Sequence, residues 1–412
     1  MSNKKINLLF VSIVFPPKND SEGLQVAKYF KYLARDKSLN IDVVTSTDNT
    51  LFMPIDENLR EYDKGYRQII KIPFFENKYI NYIFRKWNKD SLNYPDSKFR
   101  FYKKWKKVLN QLEYKPDIIY SRSFPISSTI MAYKLQKKLT IPWVLHLSDP
   151  WTINPIHTLG IAKEWNENME SKCFDKAMIL TFTSQLTMKL YAEKYPQHKE
   201  KMIVSLNVFD LDDKPKRTYR KEKKLKVVYT GGLVGDRSAQ YFIEAVQQFK
   251  RENPEMFKDF EFIFAGALDR KNKAVFHNCE SIVRHLGILT YKESLALQME
   301  ADILLVIDTP FSNSDEAMFF PSKLLDYMIM QRRIIALTNE NSVTWDIVND
   351  KLGNCIEYKD VIGTIKVLKD AWFAWCKNDI KYFEYKDLDM TFSARKNTED
   401  LVNLFKKVLS EK

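Results

Sequence analysis

Four cysteines and five histidines in 412 residues leave little material for disulfides or metal ligation. Cys173, Cys279, Cys355 and Cys376 are scattered without pairing or ligand spacing, so free thiols are expected. No His-x-x-x-His pair occurs, and no metal is expected. No apolar run reaches the roughly 18 residues that a membrane-spanning helix needs. Met1 to Lys5 leads directly into a β-forming stretch, Ile6 to Val14, not into a signal-peptide core with a small-residue cleavage site. The chain therefore reads as cytoplasmic. Helix-turn-helix, zinc-finger and RNP patterns are absent, which argues against nucleic acid. Gly-x-Gly-x-x-Gly after a strand is absent too, which argues against an NAD enzyme.

What is present is charge and α/β alternation. A net charge of +12 asks for an acidic partner: a membrane surface, a nucleotide-linked substrate or nucleic acid. The clearest local pattern surrounds Phe320 to Gln331. Ala301 to Ile307 and Arg333 to Leu337 are short β-branched runs. Between them Pro321 sets a turn, Ser322 is a good N-cap, and Leu324, Leu325, Met328 and Ile329 recur at helical spacing. This is a βαβ unit whose helix N-terminus stands at the carboxyl end of a parallel strand, where backbone N–H groups and the helix dipole favour phosphate. Asp326, one turn inside, is placed for sugar hydroxyls.

The same alternation runs through the chain. Ile6 to Ser12 is a first strand, the loop through Ser21, Glu22 and Gly23 a ligand edge, and a helix from Leu24 leads to a strand at Ile41 to Thr45. Strands follow near 116–121, 143–147, 177–184 and 202–207, six in this half. His146 and Asp149 stand at the end of the fourth. Residues 210–224, charged and poor in apolar side chains, read as a linker. Then a strand at 225–230 meets the glycine loop Gly231-Gly232-Leu233-Val234-Gly235-Asp236-Arg237, and further strands follow near 260–264, 283–287, 302–307 and 333–337. After Ile347 the pattern turns mainly helical. Asp387-Leu388-Asp389 imitates an Asp-x-Asp metal signature, but its helical, charge-rich surroundings discount it. Two open α/β sheets joined by a linker imply a cleft that closes on a ligand.

Residues 78–107 interleave aromatic rings with lysine and arginine. That mixture suits the headgroup region of an anionic membrane. It equally suits a helix with an aromatic core face and a solvated basic face, and less well single-stranded nucleic acid.

The glycine loop, Phe-Ala-Gly at 264–266, Leu286-Gly287-Ile288, Ala-Asp-Ile-Leu-Leu-Val at 301–306 and Pro-Ser-Lys-Leu-Leu-Asp-Tyr-Met at 321–328 stand in an order that resembles retaining GT-B glycosyltransferases of family 4. Tyr94-Pro95-Asp96 and Ser148-Asp149-Pro150-Trp151 are similar to members that build bacterial surface polysaccharides such as O-antigen or capsule. The resemblance implies two Rossmann-like domains facing across a cleft. Residues 1–208 would bind the acceptor, with a terminal helix at about 393–412 packing back, and 209–392 the nucleotide-sugar donor, UDP- or GDP-linked. No cofactor or metal is implied.

Residue by residue, the resemblance puts Arg237, Ser322 and Lys323 on the donor diphosphate, Gly231, Gly232, Pro321 and Leu324 elsewhere in the donor site, Ile288 on the base and Asp326 on the ribose. Arg237 matches the second cation of the family's Gly-Arg-Leu-x-x-x-Lys loop; the first is missing. The family's first acid falls on Met318, with Asp315 and Glu316 close in the same loop. His146, Asp149 and Arg237 would be catalytic, and Ser21, Glu22 and Gly23 would flank the acceptor, a glycan or polyprenyl-linked sugar. Reaction would occur on one face, the departing diphosphate oxygen helping to take the acceptor proton. The protein would sit on the inner face of the plasma membrane through 78–107. Two other readings share the plan: a sugar-nucleotide 2-epimerase, and a non-catalytic membrane-bound relative that binds nucleotide sugar.

Overall fold

Apolar strands covered on both sides by helices generate two all-parallel sheets in this computed structural model. It describes residues 5–48, 53–74, 77–88, 90, 92–156, 159–216, 221–277, 279–312 and 317–411, with the backbone alone for residues 78, 85 and 87. The chain divides into two compact units, residues 1–208 with 391–412, and residues 209–390.

The first unit holds β1 (Ile6–Val11), β2 (Leu39–Ser46), β3 (Gln68–Ile72), β4 (Ile118–Ser123), β5 (Trp143–Leu147), β6 (Ile179–Phe182) and β7 (Met202–Val204). Their order is β3-β2-β1-β4-β5-β6-β7. Its helices are α1 (Ser21–Leu33), α2 (Lys78–Trp87), α3 (Trp105–Gln111), α4 (Ser127–Leu139), α5 (Lys163–Lys176) and α6 (Gln185–Lys194). The second unit holds β8 (Leu225–Thr230), β9 (Phe260–Ala265), β10 (Arg284–His285), β11 (Ile303–Ile307), β12 (Arg333–Leu337) and β13 (Gly353–Ile356), ordered β10-β9-β8-β11-β12-β13. Between and after them come α7 (Gln240–Glu252), α8 (Pro254–Phe257), α9 (Arg270–Phe276), α10 (Tyr291–Met299), α11 (Ser322–Met330), α12 (Val343–Val348), α13 (Val361–Cys376) and α14 (Ile380–Phe383). A last helix, α15 (Ala394–Ser410), belongs to the first unit.

Both sheets have the doubly wound order, and together they form the two-Rossmann-domain GT-B fold. In each, strand order reverses beside the first strand, between β1 and β4 and between β8 and β11, so the loops leaving those strands splay apart and open a crevice at the carboxyl edge. One face of the first sheet is covered by α1 and α15, where Phe10, Tyr120, Phe30 and Phe405 pack as one cluster. The other carries Trp143, Leu145, Ile130, Phe174 and Tyr191.

Three expectations need correction. β3 is not among the six strands read from the sequence, so the first sheet has seven strands instead of six. β13 interrupts the region expected to be mainly helical, and a Cβ on Gly353 would lie 1.8 Å from the Ile334 carbonyl, so only glycine lets it pair so closely. Residues 385–389, including Asp387 and Asp389, run without helix.

Candidate functional site

In the second unit, the loop after β8 and the start of α11 meet at the crevice. Gly231 turns with φ +126°, and a Cβ there would lie 2.8 Å from Lys323 Nζ. Gly266, at φ +139°, approaches so closely that its Cβ would be 2.0 Å from the Gly231 carbonyl oxygen. Two glycines in the left-handed half of the map therefore let the backbone close around one ammonium. Lys323 donates to the Tyr229 hydroxyl at 2.5 Å and stands 4.0 Å above that ring's centre. Burial, and then the Arg237 guanidinium, hold the Lys323 pKa well below the ordinary lysine value. Burial raises that of Tyr229.

Arg237 is half-buried, and its Nε is enclosed without a hydrogen-bond partner. Its loop is anchored firmly: the Ser238 N–H donates to the Tyr358 hydroxyl (3.0 Å), which donates to the Ser238 carbonyl (2.6 Å). Gly235 N–H donates to Asp269 Oδ2 at 2.8 Å, and Asp236 pairs with Lys271 at 2.7 Å. The arrangement is two neighbouring cations, one with an unanswered donor, on a rigid glycine-opened frame.

The remaining residues expected on a donor side divide. Pro321 occupies the N-cap of α11, with no side-chain cap, and Ser322 is the first helical residue, so the expected Ser322 cap is not formed. The helix thus opens with uncapped N–H groups beside Lys323. Leu324 is corrected: its side chain is fully buried and its N–H is taken by the Pro321 carbonyl at 2.9 Å. Asp326 is only 7% exposed, and its Oδ1 lies 3.1 Å from the Tyr291 hydroxyl, which also stands 3.0 Å from Asp213 Oδ2. Part of the expected linker is thereby tied to the second unit. Gly232 accepts from Tyr229 at 3.2 Å, Ile288 is well exposed, and Met318 is buried. Asp315 and Glu316 lie outside the described residues.

In the first unit, a cavity of about 710 Å³ opens at the corresponding edge. It is lined by Asp20 from the loop after β1 and by Ser21 and Glu22 from the start of α1, by Phe124 and Pro125 from the loop after β4, and by Asp149 from that after β5. Met53, Asn81, Tyr82, Ser97 and Lys98 complete it. Asp20 caps α1, accepting the Gly23 N–H at 2.6 Å, and burial pushes its carboxyl up to about 6. Gly23 itself is buried, and a Cβ there would lie 2.4 Å from the Lys18 carbonyl. It is a packing requirement of the first turn. Behind Glu22, the fully buried Arg122 donates from Nε at 2.9 Å.

The loop that presents Asp149 is fixed by one carboxylate. Glu170, wholly buried, accepts from Thr152 N–H (3.1 Å), Tyr191 OH (2.8 Å), Tyr195 OH (2.9 Å) and Lys194 (3.1 Å). Tyr191 OH in turn accepts the Trp151 N–H at 2.7 Å. His146 requires correction. β5 is covered on both faces, so every residue in it is buried, and His146 sits in the sheet with Nδ1 2.8 Å from Thr181 Oγ1. Burial and the Arg122 charge keep it neutral, and it takes no part in the cavity wall.

The stretch 78–107 divides by element. Phe101 and Tyr102 are core residues, while Phe99 lies under Arg100 and Lys103 (both 4.7 Å). On α2, Tyr79 (78%), Tyr82 (63%) and Ile83 (64%) face solvent. Lys103, Lys104, Lys106 and Lys107 are exposed, but Lys98 is buried at the cavity. Lys89 lies outside the described residues. Sequence reasoning missed Tyr229, Asn81, Lys98, Arg122 and Glu170. Tyr229 had a signal, two residues ahead of the glycine loop at a strand end; the others had none.

No protein-family model and no curated protein sequence matches the chain. Solved structures do. Sucrose-phosphate synthase from Thermosynechococcus elongatus is similar with a TM-score of 0.64 and 12% identity, over 99% of this chain and 100% of that one. An E. coli structure described as trehalose-6-phosphate bound with UDP-2-fluoro glucose gives 0.64 and 9%, over 97% and 99%. A UDP-N-acetylglucosamine 2-epimerase structure from Listeria monocytogenes gives 0.59 and 10%, over 99% and 97%. At these identities the likeness is one of fold, which many chemistries share.

Proposed function

We propose that the protein is a glycosyltransferase that moves a sugar from a nucleotide-sugar donor, UDP- or GDP-linked, to a glycan or polyprenyl-linked acceptor in surface-polysaccharide synthesis. The observation that carries this reading is the pairing of Arg237 and Lys323 against Gly231 at the crevice of the second sheet. A lysine whose protonation is opposed by burial and by the neighbouring Arg237 guanidinium is completed by an anion, and a diphosphate supplies it. Pro321, Ser322, Gly232 and Ile288 complete the donor side, and Asp326, steered by Tyr291, takes the ribose. Transfer is retaining, on one sugar face, and needs no metal. Arg237, Lys323 and the α11 N-terminus stabilise charge on the leaving diphosphate.

Asp149, in the cavity of the first unit, addresses the acceptor. Asp149→Asn is expected to leave UDP and GDP affinity at the wild-type value while lowering turnover at least tenfold. The assay is nucleotide release from a panel of nucleotide sugars, with and without lipid-linked acceptor. Release only with acceptor marks a transferase. Interconversion of the nucleotide sugar alone marks the 2-epimerase reading, which the Listeria fold neighbour supports.

The exposed face of α2 and the cations at 103–107 support a peripheral place on an anionic membrane, the inner face of the plasma membrane. Each lysine near such a surface contributes about 1 kcal/mol within a Debye length. Co-sedimentation with phosphatidylglycerol vesicles is expected, declining with salt, and weakened by Gln at Lys103, Lys104, Lys106 and Lys107. Equal binding to neutral vesicles, or none to either, removes the membrane from this proposal.

A further inference from the structure

The cavity of the first unit has a sign opposite to that of the chain. The protein carries 65 Lys and Arg against 53 Asp and Glu. Around this cavity stand the carboxylates of Asp20, Asp149 and Glu22, the last paired with the buried Arg122 behind it, and one ammonium, Lys98. Lys98 is buried and its charge acts on Asp20 and Asp96, so it is already answered within the protein. The polar wall therefore offers chiefly acceptors.

A second observation, independent of the acidic cluster, points to a ligand. Asn81 projects inward from α2, on the side away from the exposed Tyr79 and Ile83. It is 7% exposed, lines the cavity, and its Oδ1 is buried with no hydrogen-bond partner. A buried amide oxygen left unpaired is costly, and native proteins keep few of them without a reason. Asn81 lines a cavity from which a hydrogen-bonding partner can come. The rings of Tyr82 and Phe124 add an apolar wall beside the carboxylates. A sugar ring has that combination on its own surface, with C–H faces for the rings and hydroxyl protons for the acceptors.

We infer that this cavity is a subsite for a hydroxyl-rich, acid-free sugar unit of the acceptor, with the unpartnered Asn81 side-chain amide hydrogen-bonding one of its hydroxyls and Asp20 and Asp149 rejecting uronic acids. Its place in the reaction rests on the transferase reading above; the binding itself does not. Asn81 is a specificity-determining residue in this scheme. A negatively charged sugar entering would leave its carboxylate against Asp20 and Asp149, a juxtaposition that works by repulsion.

The test uses the full chain and saturation-transfer NMR with methyl glycosides of glucose, galactose, mannose and N-acetylglucosamine, beside methyl glucuronide and galacturonide. At least one neutral glycoside binds saturably, and the uronate of matching configuration binds tenfold or more weakly. Asn81→Leu, nearly isosteric, weakens the neutral glycoside roughly tenfold while leaving UDP affinity unchanged. Because Oδ1 has no partner in the free protein, the same variant holds or raises the thermal midpoint. Failure of every glycoside to bind overturns the inference, as do uronates that bind equally well or an Asn81→Leu protein with undiminished affinity. A midpoint that falls together with affinity overturns Asn81 as a ligand contact. A protein that binds glycosides as described but never releases nucleotide keeps the subsite and loses the transferase. One that transfers only to acidic acceptors does the reverse.

Discussion

Alanine at Arg237 or at Lys323 is expected to weaken UDP or GDP binding by one to two orders of magnitude. Hydrogen bonds to a charged group are worth about 1.5–3 kcal/mol, and each 1.4 kcal/mol is about tenfold in affinity. Arg237 brings an enclosed Nε that donates to nothing in the free protein, so the anion gains a bond without breaking another. Lys323 adds a proton signature. Its pKa in the free protein lies well below the ordinary lysine value, through burial and the Arg237 charge. A bound diphosphate raises it again, so binding takes up a proton at pH values above the depressed pKa. Calorimetry in buffers of different ionisation enthalpy reads that uptake directly. Arg237→Ala should diminish it only in part, because burial, the larger cause, still opposes Lys323 protonation. Wild-type affinity in both variants, together with no buffer dependence, would exclude this loop as the donor-phosphate site.

The largest loss of stability is expected at Arg122. Its side chain is fully buried, with Nε 2.9 Å from Glu22 and the guanidinium carbon 4.7 Å from the Tyr29 ring centre. Removing one partner of such a pair leaves an uncompensated charge and costs about 3–5 kcal/mol, whereas replacing both with uncharged residues of similar volume is close to neutral. Arg122→Met should therefore lower the denaturant midpoint sharply, and Glu22→Gln with Arg122→Met should recover most of it. A single variant that unfolds at the wild-type midpoint would show that the pair contributes nothing.

Where local chemistry decided the outcome, the sequence was legible. The apolar runs at 303–307 and 333–337 are strands because buried parallel strands demand β-branched residues on both faces. The glycine loop put Arg237 at the crevice because a strand end followed by two glycines leaves few alternatives. β3 and β13 escaped because both are edge strands. Gln68, Lys71, Asn354 and Cys355 are not strong strand formers, and pairing with β2 and β12 decides their conformation. The 78–107 stretch divided as it did for a similar reason. Nothing local separates Lys98, turned inward toward carboxylates, from Lys103, left in solvent. Likewise, alternation cannot warn that His146 lies in a strand covered on both sides.

The position of α15 has a consequence for synthesis. Its Leu401, Val402, Phe405 and Val408 share a buried cluster with Leu8, Phe10 and Tyr120, although some 270 or more residues of chain separate them. Domains ordinarily fold in the order in which the ribosome releases them. Here the second unit, one continuous segment, can finish first, while the first unit waits with an apolar face uncovered until residues 394–410 emerge. The nascent chain thus holds its first half open until α15 has emerged, and truncation anywhere before α15 leaves that face bare.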